Sequence, residues 1–394
     1  MTDLSERFRA LFPGRRGQPA RAFAPYRVCP LGAHVDHQHG LISGFAIDRG
    51  VELCYAPSAD GQVRLYSDDF PGEVCFSPNN LCGPALGDWG DYARGAAWAL
   101  SGRGMPHVGI VGVVRGSLPI GGLSSSASVT LCYLQALAAV NEIELTAEDL
   151  ITLAHRAESG YVGVNVGTLD PSCEVLSVAD HLLYLDTRDG RYERIARAPG
   201  MPAFETAVFY SGVPRRLGSG FNNRVDELRA AAWYLKAMEG MPLGPFAENR
   251  LRDVPEEAFL RREADLPQPF RRRARHFYTE CGRVRRGVDA WRRGDMAAFG
   301  QLVFESGQSS IENYETGSPE LIELYRAMRE APGVYGGRFS GAGFRGCCVA
   351  LVDPARREQA AQFVERRYLD KFPAMKDTYS CHFCGTRDGV GVGR

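Results

Sequence analysis

Gly116-Ser-Leu-Pro-Ile-Gly-Gly-Leu-Ser-Ser-Ser-Ala-Ser128 runs straight into 127–140, a stretch rich in Ala, Val and Leu. The second part is apolar on every side, which predicts a buried helix. In the first part, glycines let the backbone turn tightly and approach a ligand, and the free N–H groups at the helix start attract phosphate. The Gly-Lys-Ser/Thr of a Walker A loop is missing. Taken alone, a plain turn explains the segment as well.

Two further glycine-punctuated segments flank it. Upstream, Pro25-Tyr-Arg-Val-Cys-Pro-Leu-Gly-Ala-His-Val-Asp-His-Gln-His-Gly40 gathers Arg27, His34, Asp36, His37 and His39. The HxDHxH spacing fits no settled metal geometry, and Asp and His serve equally as hydrogen-bonding partners for vicinal hydroxyls. Downstream, Gly336-Gly-Arg-Phe-Ser-Gly-Ala-Gly-Phe-Arg-Gly-Cys-Cys348 places five glycines in thirteen residues between apolar strands. That suggests backbone packed against a ligand or another loop.

The surrounding chain has 394 residues, enough for two domains. Its 46 basic and 47 acidic residues nearly cancel, so no net charge points to nucleic acid or another polyanion. All of the bases except Lys236, Lys371 and Lys376 are arginines. No apolar run approaches the ~18–20 residues of a membrane span. Residues 1–16 are charged and lack the core of a signal peptide. Eleven scattered cysteines fit reduced thiols. A cytoplasmic protein without membrane or nucleic-acid partners is expected. Cys381-His-Phe-Cys384 has CxxC spacing but no companion ligands, and reads as free thiols.

Short β-rich runs at 44–55, 62–66, 73–76 and 109–114 alternate with helices expected at 89–100, 127–140 and 146–158, and 182–186 closes this half as a strand. The 146–158 helix opens on Thr146 with acids behind it. The Pro/Gly-rich segment 198–202 is the candidate boundary, giving domains 1–198 and 199–394. In the second half, Phe270, Ala274, Phe277, Cys281, Val284, Val288 and Trp291 recur at steps of four and three. That is one apolar stripe along a long helix, with its arginines expected on a solvated face. A further helix at 319–328 leads into a strand-loop-strand at 333–352. Helices and strands in two halves make the chain α+β.

In this order and spacing, the three segments resemble the three motifs of the GHMP small-molecule kinases, galactokinase branch. The resemblance covers nearly the whole chain. It implies a two-domain GHMP kinase fold, with an N-terminal half like domain 2 of ribosomal protein S5 and a ferredoxin-like α/β C-terminal half. It also implies in-line transfer of the γ-phosphoryl group of ATP to a sugar's anomeric hydroxyl, where positioning and charge stabilisation dominate. Asp170, in Gly167-Thr-Leu-Asp170, matches the family's catalytic base, and Arg27 the arginine that neutralises the site. Read alone, Asp170-Pro171 also looks like a helix N-cap followed by Pro at the first helical position. Ser126 and Glu158 match the family's Mg2+ hydroxyl and carboxylate. Pro119, Gly121, Gly122, Leu123, Ser124, Ser125, Ser126 and Ser128, with Gly341 and Gly343, would wrap the ATP phosphates. Ala33, His34, Asp36, His37, Phe221 and Arg345 would contact the sugar. A monomer acting on small molecules is expected.

The sequence departs from galactokinases at one telling place. Their motif reads Gly-Glu-His-x-Asp-Tyr, whereas this chain has Gly32-Ala33-His34-Val35-Asp36-His37. The resemblance implies that the Glu binds the sugar's C6 hydroxyl. A C6 carboxylate would meet that Glu as a like charge, costing about 4 kcal/mol at ~4 Å and an effective dielectric of ~20. Losing one hydrogen bond to galactose costs only ~1 kcal/mol. Ala33 therefore favours a uronic acid, and the first and third segments resemble the galacturonokinases more than the galactokinases. Phe221 stands where the branch has a sugar-contacting Tyr, which makes glucuronate an expected second acceptor; Phe221 could equally be core. Arg345, at a usual Gly, suits either the carboxylate or a phosphate. The alternatives are a galactokinase of relaxed specificity and a non-catalytic sugar- and ATP-binding regulator.

Overall fold

The apolar helix forms at Ser125–Val140 and is covered on both sides. One side meets strands β1 (Ala20–Val28) and β2 (Leu41–Pro57), the other the helices Asp91–Leu100 and Ala147–Arg156. Leu131, Leu134, Ala136 and Leu137 are buried, so the missing polar face follows from position. The protein is seen here as a computed structural model describing residues 3–15, 17–81, 84–104, 106–213 and 220–391.

The remaining strands are β3 (Val63–Ser67), β4 (Glu73–Phe76), β5 (Ile110–Gly116), β6 (His181–Asp186), β7 (Tyr192–Ala196), β8 (Glu205–Tyr210), β9 (Val334–Phe339), β10 (Cys347–Val352), β11 (Ser380–Cys384) and β12 (Thr386–Arg387). The first sheet runs β4-β3-β5-β2-β6-β7, with β1 and β12 also pairing with the long β2. The second is antiparallel, β11-β8-β10-β9. The cut expected at 198/199 falls between β7 and β8, while β12 returns from the far end of the chain to the first sheet. One large core joins the first sheet to the helices Gly220–Met238 and Phe270–Arg292. A smaller core lies between the second sheet and the helices Pro319–Glu330 and Arg357–Lys371. Among the described residues, no helix is long and apolar enough to cross a membrane, and the cysteines, Cys381 and Cys384 included, are free thiols.

The helix Phe270–Arg292 carries the expected stripe, and Trp291 Nε1 donates to the Ile195 carbonyl oxygen at 3.0 Å, fixing the helix to β7. Two of its arginines, Arg273 and Arg283, are buried and depart from the solvated face expected, while Arg275, Arg285, Arg286 and Arg292 are exposed. Arg273, His276, Glu280, Arg283 and Gly287, at steps of three and four, form a second line beside the first, and it is buried too. Arg273 sits inside because Glu227 and Glu315 hold its charge at 2.6 and 2.5 Å; an unpaired buried guanidinium would be strongly destabilising.

The helix Met296–Glu312 lies so close on β9 that a Cβ on Gly300 would fall within the van der Waals shell of the Tyr335 carbonyl oxygen. Alanine gains about 1 kcal/mol of helix propensity over glycine, but overpacking against backbone costs about 1–3 kcal/mol. Gly300→Ala is therefore expected to lower stability, by up to about 2 kcal/mol. A urea midpoint at or above wild type would show that the strand can move aside.

Candidate active site

The three glycine-rich segments meet around a cavity of about 370 Å3. Arg27, at the end of β1, is buried there, and burial alone would disfavour its charge. The Asp170 carboxylate outweighs that and holds its pKa above the ordinary value. Arg27 Nε donates to Asp170 Oδ1 at 2.6 Å, and Nη1 reaches the Gly122 carbonyl oxygen at 3.2 Å and Ser340 Oγ at 3.4 Å. Asp170 is not a helix cap. The helix Leu169–Leu176 is preceded by Thr168, and the second oxygen of Asp170 accepts from the Ser124 hydroxyl. A cap is worth about 1 kcal/mol, whereas a hydrogen bond to a charged partner contributes about 1.5–3 kcal/mol.

The second glycine-rich segment leaves β5, turns through Gly121 and Gly122, and enters the helix at Ser125. No side chain caps this helix, because the Ser124 hydroxyl is turned to Asp170. Gly122, Ser124 and Ser126 line the cavity, with Tyr92 and Glu158 also on its wall. Glu158 lies on a π-helical turn, Ala157–Val162, that continues the helix Ala147–Arg156. Such turns re-aim side chains at functional sites. Here the turn is held by Trp98, against Gly160 and under the Arg156 guanidinium. The third segment closes the loop from above. A Cβ on Gly341 would lie 3.0 Å from Gly122, and one on Gly346 2.8 Å from Gly121, so only glycines allow this contact. Gly341 and Arg345 line the cavity. Ser128 does not, because its hydroxyl donates inward to Glu174 Oε1 at 2.9 Å. Leu123 is in the core, and Pro119, Gly121, Ser125 and Gly343 are not on the cavity wall.

The turn after β1 presents Ala33, His34 and Asp36 to the cavity. His34 stacks on Tyr314, with ring centroids 4.2 Å apart. Asp36 accepts from the Leu169 N–H at 3.2 Å, and burial raises its pKa. Burial pushes His34 well below its ordinary value and His37 down to about 3, so both are neutral. Their Nε2 atoms are buried without partners. Phe221 lines the cavity and meets the His37 ring edge-on, so it is not simply core; His37 lies behind it, off the wall.

Several residues here were not singled out from sequence. Glu280 Oε1 accepts from the Gly32 N–H at 2.7 Å and the Ala33 N–H at 3.3 Å, while His276 Nε2 lies 3.0 Å from the Ala33 carbonyl oxygen. Arg338 and Ser340 are on the cavity wall. Glu174, one turn beyond Asp170, is fully buried, and burial with Asp170 nearby raises its pKa well above the carboxylate range. The second buried line of the 270–292 helix was the available signal for His276 and Glu280.

Comparison with known proteins agrees with this architecture. The pattern of the GHMP kinases N terminal domain matches residues 91–177, and that of the GHMP kinases C terminal matches residues 288–371. A galacturonokinase of Arabidopsis thaliana is 39% identical over 374 residues, covering 90% of this chain and 88% of that protein. A galactokinase of Roseiflexus sp. (strain RS-1) is 34% identical over 370 residues, covering 93% and 91%. The crystal structure of Lactococcus lactis galactokinase complexed with galactose superposes with a TM-score of 0.88 at 26% identity, over 98% of each chain. The Methanococcus jannaschii mevalonate kinase, at 15% identity and a TM-score of 0.64, shares the fold. The chain belongs to the GHMP kinases and is a sugar kinase of the galactokinase and galacturonokinase type.

Proposed function

We propose that this kinase transfers the γ-phosphoryl group of ATP to the anomeric hydroxyl of D-galacturonate, giving galacturonate 1-phosphate, with glucuronate as a second acceptor. The observation that carries this reading is Ala33 on the cavity wall, where galactokinases have a carboxylate. The 39% identity to a galacturonokinase supports it. Residues 1–198 and 199–394 are taken as the two lobes that embrace the substrates.

In this reading Asp170 accepts the proton of the anomeric O–H as that oxygen bonds to the γ-phosphorus and ADP leaves. Arg27 orients the Asp170 carboxylate through the 2.6 Å ion pair. The uncapped N–H groups of the 125–140 helix, with Gly122 and Ser124, hold phosphate oxygens. Arg345 adjoins Gly346, which packs on this loop, and so is assigned to phosphate. Ser126 and Glu158 would hold Mg2+, which neutralises phosphate charge. Among the described residues no three His, Cys, Asp or Glu side chains form a metal cluster. Such a sparse donor set fits Mg2+, which keeps waters and takes substrate phosphates as ligands. His34, with its orphaned Nε2, and Asp36 are the groups for the sugar hydroxyls.

ADP release with galacturonate, glucuronate and galactose tests the assignment. We expect galacturonate to exceed galactose in kcat/KM by about tenfold or more, the scale of one hydrogen bond or charge contact, with glucuronate between them. Turnover of galactose alone would make the chain a galactokinase, and ligand binding without turnover a regulator. Asp170→Asn should lower kcat by about 10²–10⁴-fold, the usual contribution of a general base, with ATP affinity nearly intact. A kcat within tenfold of wild type would remove Asp170 from that role.

A further inference from the structure

Among the described residues three arginines line the cavity: Arg27, Arg338 and Arg345. Arg27 is committed to Asp170. Arg345 is next to Gly346, against the phosphate loop. Arg338 lies beside the turn after β1. Its Nη1 is 3.6 Å from Glu280 Oε1, the same oxygen that accepts from the Gly32 and Ala33 N–H groups. It is therefore the cation beside the wall where Ala33 replaces a glutamate.

The charges around it do not balance. Glu280 is one carboxylate facing two guanidiniums, Arg283 at 2.7 Å and Arg338 at 3.6 Å. Ser306 and Ser310, which accept from Arg338 Nη1 and Nη2 at 2.5 and 3.1 Å, are neutral. So is His276, which burial pushes down to about 4, and so is His34. Arg338 is 1% exposed and Glu280 0%. Taken by itself the cluster carries one net positive charge in contact with the cavity, where the Asp36 and Asp170 carboxylates are engaged by the Leu169 N–H and by Arg27, so an arriving anion would offset a buried cation. Of the five N–H donors of a guanidinium, three are used, by the two serines and by the Phe339 carbonyl oxygen. Two remain.

We infer that Arg338 recognises the C6 carboxylate of the acceptor, so that the substrate supplies the counter-charge absent at Ala33. This rests on the uronate reading above. Two sets of measurements test it. In the first, kcat/KM for galacturonate and galactose is measured for wild type, Arg338→Met and Arg338→Lys. Arg338→Met keeps the Glu280–Arg283 pair neutral. It should lower kcat/KM for galacturonate at least tenfold more than for galactose, mainly through KM, and Arg338→Lys should restore part of the preference. Equal losses for both sugars would reduce Arg338 to a structural residue and overturn the inference while leaving the uronate reading standing. A wild type that turns over only galactose would overturn both.

The second set is melting with and without galacturonate, which does not depend on the stability of the Arg338 variants. Ala33→Glu supplies the missing carboxylate from the protein itself. Its Tm should rise above wild type, and the stabilisation of wild type by galacturonate should be lost. An unchanged or lower Tm with the galacturonate effect intact would refute the charge imbalance.

Discussion

One guanidinium joins the parts of this enzyme. Arg27 leaves β1 and touches Asp170, 143 residues on, the Gly122 carbonyl 95 residues on, and Ser340, 313 residues on. The first glycine-rich segment supplies the arginine, and the second and third each supply one of its partners. A planar donor fork suits this task, because its donors point in fixed directions from a single rigid group. Replacing it with lysine would keep the charge and lose the geometry. The Asp170 carboxylate, the Gly121–Gly122 turn and the end of β9 are held in register by it.

The sequence carried the motifs because they are local backbone patterns. A glycine-rich turn before an all-apolar helix, or alternating steps of three and four, can be read without knowing what lies across the fold. Partners far along the chain are a different matter. Glu280 and Gly32 are 248 residues apart, and no local pattern links them. Asp170 shows the limit from the other side: Asp-Pro is good cap chemistry, and only the buried arginine opposite turns the carboxylate away from it. Ser128 and Leu123 stand inside a motif yet face inward, since a helix entering a core must bury part of its first turns.

The excess of arginine over lysine takes on a different meaning in the structure. Many arginines do coat helices. Yet Arg27, Arg94, Arg273, Arg283 and Arg338 are buried, each within 4 Å of a carboxylate. Lysine, a strongly hydrated point charge, suits such places less well. The near-neutral total charge is therefore compatible with local imbalance, because pairing is arranged residue by residue inside the fold.

The contact of Gly121 and Gly122 with Gly346 and Gly341 bears on the order in which the molecule matures. The Gly121–Gly122 turn is shaped on one side by a loop that follows it by more than two hundred residues. Domains fold as they leave the ribosome, N-terminal parts first, so β1 to β7 and the buried helix can assemble before the third segment reaches this turn. A nascent or truncated chain ending before β9 would own Asp170 and Arg27 but lack the loop that packs on Gly121 and Gly122. The cavity is thereby complete only once the third segment is in place.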